Sequence, residues 1–209
     1  MAAQVVMVVD QEGTSRFWLA ASDGRNPLRQ IPNVEGMEPR FGPDGEIFFR
    51  HPEGTAGFAC RVRPDGTGLR KVFDQPIYGF DGVSRDGRWI RTRAVRAGAE
   101  GPLWQAFPLD GGAPVRLGGA FMWHWSIGGD WLPISGNPVA AGRSYIVPLP
   151  PGEFLHHVPV EGLRSESEVA ALPGARRVDA AAAVPGPSPD VFAFSRSTTQ
   201  RNLYRIPIR

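Results

Sequence analysis

Short runs of β-branched and aromatic residues recur along the chain, separated by Asp-Gly pairs. Glu12-Gly13-Thr14, Phe17, Asp23-Gly24 and Leu28-Arg29-Gln30-Ile31 return as Glu53-Gly54-Thr55, Phe58, Asp65-Gly66 and Leu69-Arg70-Lys71-Val72. The offset is 41 residues, or 42 at the Asp-Gly pair. Asp110-Gly111 with Pro114-Val115-Arg116-Leu117 is a third copy, and Pro150-Pro151-Gly152 a degenerate fourth. A second marker, Phe41-Gly42-Pro43-Asp44-Gly45, matches Val83-Ser84-Arg85-Asp86-Gly87 and Trp125-Ser126-Ile127-Gly128-Gly129 at 42-residue steps.

Asp and Gly tolerate the left-handed backbone of tight hairpin turns, and bulky residues do not. Two such turns per period, between β-type runs, predict four short strands. In one full copy these are roughly Glu38–Gly42, Glu46–His51, Gly57–Arg63 and Leu69–Phe73. A four-stranded antiparallel unit every 40 to 45 residues predicts an all-β chain of β-propeller blades. The register also predicts that Phe41, Val83 and Trp125 fill equivalent core sites between blades.

The repeat divides the chain into a partial blade over 1–33, blades over 34–75 and 76–119, a blade over 120–160, and a partial blade over 181–209. The blade over 120–160 is decorated by an insertion over 161–180, in which Ser165-Glu166-Ser167-Glu168 forms a capping pattern for a short helix stopped by Pro173-Gly174. The last blade contains Val184–Gly186, Val191–Arg196 and Asn202–Ile208. The chain begins at the second strand of a blade, Gln4–Asp10, and stops after the third strand of another. The two deficits cannot fill each other, so the reading is an incomplete propeller with open strand edges and a tendency to self-associate.

Composition fits this fold. The 26 glycines and 21 prolines exclude a helical bundle, and 42% apolar residues exclude disorder. Net charge is only +2, with Lys71 the sole lysine, so an anionic partner is not demanded. The single cysteine, Cys60, excludes an intrachain disulfide and reads as a small buried strand residue. Val5 to Val9 is too short for a signal segment, and no apolar run approaches the roughly 20 residues that span a bilayer. Nothing in the sequence assigns a compartment.

The repeat of Phe, Val or Trp followed by Asp-Gly resembles the TolB-type propeller repeat of bacteria, and this likeness covers nearly the whole chain. The tail is similar, over about 50 residues, to the carboxy-terminal end of propellers fused to bacterial serine/threonine kinases, notably in acidobacteria. The residues that carry this likeness are Gly162-Leu163-Arg164-Ser165-Glu166, Ala170-Ala171-Leu172-Pro173-Gly174, Pro185-Gly186-Pro187-Ser188-Pro189-Asp190-Val191-Phe192-Ala193-Phe194 and Gln200-Arg201-Asn202-Leu203-Tyr204-Arg205-Ile206-Pro207. The resemblance implies a sensing or interaction module with an upstream kinase as partner. The kinase's own motifs (Gly-rich loop, His-Arg-Asp, Asp-Phe-Gly) are absent here, so catalysis does not carry over.

Candidate chemistry is sparse. His156-His157 would point to opposite faces of a strand, and the Asp-Gly pairs lack the clustered acids of a calcium loop, so neither a metal nor a cofactor is expected. No Gly-x-Ser-x-Gly elbow occurs, and no catalytic residue is assigned. From Arg61 to Arg96 there are nine basic and four acidic residues, including Arg88-Trp89-Ile90-Arg91-Thr92-Arg93. We read these arginines as stems laid over a neighbouring blade with solvated heads, not as a nucleic-acid surface.

Two function classes remain. The first is a non-enzymatic module for a protein, peptide or small ligand, bound where the chain enters the innermost strands around the channel. Met37, Tyr78 and Phe121 sit at or beside those positions, with Arg40 and His124 on the strands. The alternative is a hydrolase or lyase using channel-facing acids such as Glu35 or Asp81; a truncated relic without independent function is a third.

Overall fold

The computed structural model describes residues 4–25, 27–94, 103–119, 121–123, 130–136, 143–149, 158–186, 188 and 190–194. Strands β1 (Gln4–Gln11), β2 (Thr14–Ala21) and β3 (Arg29–Glu35) form a three-stranded antiparallel sheet. Strands β4 (Met37–Phe41), β5 (Ile47–Glu53), β6 (Ala56–Val62) and the two-residue β7 (Arg70–Lys71) form a four-stranded unit. The next unit is β8 (Ile77–Val83), β9 (Trp89–Ala94), β10 (Leu103–Pro108) and β11 (Val115–Gly118). One bridge, Gly57 to Ile77, stitches β6 to β8.

A fourth unit contains β12 (Phe121–Trp123), β13 (Trp131–Gly136), β14 (Ser144–Pro148) and β15 (Arg176–Val178). A short pair follows, β16 (Val184–Pro185) and β17 (Phe192–Ala193). The architecture is that of propeller blades, and among the described residues the sheets do not close.

The Asp-Gly pairs make one turn over and over. In four copies the aspartate side chain accepts from the backbone N–H two residues on: Asp23 from Arg25, Asp44 from Glu46, Asp65 from Thr67 and Asp86 from Arg88, at 2.9–3.1 Å. Each following glycine donates to the carbonyl three residues back. Gly45 and Gly87, at φ +81° and +70°, adopt a backbone that side chains disfavour. These acids are committed to turns.

Successive side chains on a strand face opposite ways, so each inner blade buries both of its faces. On β5, Ile47 and Phe49 join Phe17, Leu19, Ile31 and Val34 of the first sheet, while Phe48 turns to Ile77, Phe80 and Ile90 of the third. Phe73 stacks on Phe107, with ring centroids 4.1 Å apart. A third cluster joins Trp104 and Leu117 to Trp123, Ile134 and Tyr145. Phe41 and Val83 lie at the partly buried margin of the first two clusters, not at their centres. Trp125 lies outside the described residues. Cys60 is buried on β6, and burial pushes its thiol up to about 11.

The stretch over 161–180 holds both a helix and a strand. Its capping pattern does start a helix, α1 (Glu166–Ala170), where the Ser165 hydroxyl accepts from the Glu168 N–H. The Glu168 carboxylate accepts from the Arg164 N–H, and Val169 and Leu172 pack into the third core cluster. But β15 lies in the same stretch and pairs with β14 as the fourth strand of its blade. The helix therefore lies in the connection between β14 and β15. Of the last blade's three strands, Asn202–Ile208 lies outside the described residues.

Truncating Phe49 to alanine should lower the free energy of unfolding by about 3–5 kcal/mol, since it leaves a cavity between two blades. Phe41→Ala should cost clearly less. Denaturant titration compares the two, and equal losses would contradict the placement of Phe49 at the inter-blade centre.

Candidate functional site

The innermost strands β4 and β8 begin on the same side of their blades, and most charged and exposed groups of interest gather there. β4 does not pair regularly with β5: its register slips between Met37 and Arg40, and Glu38 in the slip has φ +57°. A left-handed backbone at a residue other than glycine is uncommon and marks a bulge that redirects a side chain. The Glu38 carboxylate crosses to the neighbouring blade, accepting from the Phe80 N–H at 2.6 Å and pairing with the Arg93 guanidinium.

Arg93 in turn lies 3.4 Å from Asp81, on β8, and Arg91 lies 3.9 Å from the same carboxylate. The Trp104 indole also donates to Asp81. Gly79, directly opposite Arg93, leaves room for this, because a Cβ there would overlap the guanidinium. The Arg91 side chain is only 5% exposed. It occupies the repeat position that Phe49 fills one blade earlier, so an ion pair replaces an aromatic ring. This corrects the expectation of a solvated head.

Burial governs the charges here. It pulls the Arg91 guanidinium down to about 10, which leaves it cationic at neutral pH. It also raises the Asp81 carboxyl above its ordinary range, against the pull of Arg91 and Arg93. Every acid and base in this group is spoken for by another member.

Beside this clasp the surface is open. Tyr78, at the start of β8, is 65% exposed, with the Arg93 guanidinium 5.8 Å from its ring centre. Met37, at the start of β4, is 46% exposed, and its sulfur accepts from Arg50 at 2.8 Å. Arg40 is exposed and donates to the Pro39 carbonyl. Phe121 is 6% exposed and packs in the third core cluster, which leaves little of it for a ligand to touch. His124 lies outside the described residues.

Next to the start of β4, between the first and second blades, is a polar cavity of about 310 Å³. Thr14, Arg16, Gln30, Asn33, Glu35 and His51 line it. His51 Nδ1 lies 3.0 Å from the Glu35 carbonyl oxygen. Among the described residues the side chains of Thr14, Arg16, Gln30, Asn33 and Glu35 have no polar partner. A wider cleft of about 780 Å³ opens at the other end of β1, but its acids are occupied. Asp44 holds its turn there, and Glu46 pairs with Arg61 and Arg70.

Of the residues singled out in the sequence, Glu35, Met37 and Tyr78 lie where the inner strands begin, Arg40 lies near the far end of β4, and Asp81 lies in the clasp. The sequence reading missed Glu38, Arg16 and His51, and it took Arg93 for a solvated arginine. The available signal was register: Glu38, Arg91 and Arg93 are charged where the adjoining repeat has Phe80, Phe49 and His51. Among the described residues no group of three His, Cys, Asp or Glu side chains converges to hold a metal.

The fold has clear relatives among solved structures. TolB from Acinetobacter baumannii matches with a TM-score of 0.54 at 14% identity, over 69% of this chain and 38% of that one. A putative TolB from Agrobacterium tumefaciens matches at 0.52 and 17% identity, over 77% of this chain and 59% of that one. This chain thus has a TolB-like β-propeller fold and spans less than two thirds of either relative. No family model and no curated protein matches the chain.

Asparagine mimics the neutral carboxyl that burial favours, so Asp81→Asn should cost little at neutral pH. The pH dependence has a definite sign. A raised folded-state carboxyl means that the folded chain binds this proton more readily than the unfolded one. Asp81 therefore adds stability as pH falls through the window above the ordinary carboxylate range, and the deficit of Asp81→Asn should widen on acidification. Unfolding titrations at neutral and mildly acidic pH would show it; a deficit that vanishes on acidification contradicts the burial argument.

Proposed function

We propose that the chain is a non-enzymatic binding module that recognises an extended peptide or protein segment along the rim where β4 and β8 begin. One observation carries this reading: ligand-ready groups and chemically capable groups are separated. The cavity side chains and Tyr78 are open to solvent, whereas Glu38, Asp81, Arg91 and Arg93 neutralise one another. A concave polar pocket beside an exposed, rigid aromatic suits peptide recognition. The donors of Arg16, Gln30 and Asn33 suit peptide carbonyls or an acidic side chain, and the Glu35 carboxylate suits a peptide N–H.

The enzyme reading gains less support. A general base must be free to take a proton, and Asp81 is surrounded by two guanidiniums and an indole. Glu35 is open, but His51, the base beside it, is turned to a backbone carbonyl. The TolB-like fold and the likeness of the tail to kinase-fused propellers support a sensor or interaction role, with an upstream kinase as its output.

A random peptide library selected against the immobilised chain provides the probe. Selected peptides should lose at least tenfold in affinity on Tyr78→Ala and on His51→Ala, and should be unaffected by Val160→Ser, a remote exposed site. Peptides that bind all three variants equally would place recognition elsewhere.

A further inference from the structure

Arg50 is an under-bonded cation at the seam of the second and third blades. It lies on β5, opposite Ala59 of β6 and Met37 of β4. Its side chain crosses Gly57, where a Cβ would come within 2.9 Å of the stem and 2.7 Å of Nη1. Gly57 in turn bridges to Ile77, which precedes Tyr78 at the start of β8. Both blades that carry these residues have another blade packed on each side.

A guanidinium offers five N–H donors and accepts nothing. Among the described residues that of Arg50 has one hydrogen-bond partner, the Met37 sulfur at 2.8 Å. A thioether is a weak acceptor. The Arg50 Nε is buried without a partner, and no described carboxylate pairs with the group. Leaving a half-buried charge so poorly satisfied is costly.

Arg93 supplies the contrast. It lies over Gly79 as Arg50 lies over Gly57, yet Glu38 and Asp81 both pair with it. Arg50 has the same kind of seat and no acid. The surplus of positive charge is local, because the clasp sets two arginines against two acids. Arg40, near the far end of β4, likewise has only the Pro39 carbonyl as acceptor.

We propose, on the footing of peptide recognition along this rim, that Arg50 anchors an anion subsite that takes a carboxylate of the bound segment. Two parallel N–H bonds from a guanidinium to a carboxylate are roughly twice as strong as neutral ones. They replace the weak contact to sulfur. Met37 can give way, since it is exposed and its side chain has three rotatable bonds. Exposed Tyr78 offers a flat face to the residue next to the acid. The ligand is therefore an acidic peptide whose charged group adjoins an apolar residue, and the local positive surplus steers it to the rim.

Peptides selected from a random library on the immobilised 209-residue chain are the probe, each made with a free and with an amidated C-terminus. A side-chain carboxylate keeps its affinity in both forms, whereas a terminal carboxylate binds only when free. For acidic side chains, Asp→Asn or Glu→Gln in the peptide should weaken binding to the unaltered chain about tenfold or more, the scale of one charged hydrogen bond. Arg50→Met, which keeps the stem and removes the cation, should cause a similar loss while keeping the parent's circular dichroism. The two changes together should lose little more than either alone. Arg50→Lys, which keeps the charge without the fork, should recover part of the affinity.

Full affinity for a peptide stripped of every carboxylate would overturn the anion subsite. So would an acid replacement that costs as much on Arg50→Met as on the parent, since the acid would then meet another group. If Tyr78→Ala still weakens binding in either case, recognition along the rim stands without this anchor. Peptides indifferent to both Tyr78→Ala and Arg50→Met would overturn the rim and the subsite together.

Discussion

Two-sided burial of the inner blades is the constraint from which the rest of the structure follows. A strand that must pack on both faces cannot alternate apolar and polar residues, and β5 does not: Ile47, Phe48 and Phe49 are all buried. Each face then needs a neighbouring blade, so neither the second nor the third sheet is a finished object by itself. This coupling puts β4 and β8 side by side and brings Glu38 within reach of Phe80 and Arg93. The charge clasp is a by-product of that approach, and it leaves the rim between the inner strands as the open surface.

The clasp also shows why arginine is the base used. A guanidinium stays charged when buried and offers several donors in a fixed plane. Arg93 engages two carboxylates from two blades, which a lysine point charge would do poorly. The left-handed Glu38 and the missing side chain at Gly79 are the local concessions that make the geometry fit. Backbone strain of this sort persists where the surroundings over-determine it.

Much of this was legible in the sequence because it is local. An Asp-Gly pair closes its turn with its own backbone, so the turns, the strands between them and the blade period could all be read directly. Ser165 and Glu168 announce their helix for the same reason. What escaped was whatever depends on a distant partner. β15 is three residues long with no apolar pattern, and only pairing with β14 makes it a strand. Arg91 looks like a solvated arginine until the fold buries it beside Asp81. Phe121 looked available for ligand, yet the adjoining blade buries it. Polar cavities such as that around Arg16 and His51 join residues more than 30 positions apart, and no spacing rule links them.

The central claim is that the acids and arginines beside the rim are a structural clasp between blades and not reactive groups. A double-mutant cycle on Glu38 and Arg93, using Glu38→Gln, Arg93→Gln and the pair, measures this most directly. Residues in one ion-pair network couple by about 0.5–3 kcal/mol, and the account predicts an unfolding coupling energy in that range. Additivity within about 0.3 kcal/mol would mean that the two blades do not hold each other through this pair, and the clasp would have to be abandoned.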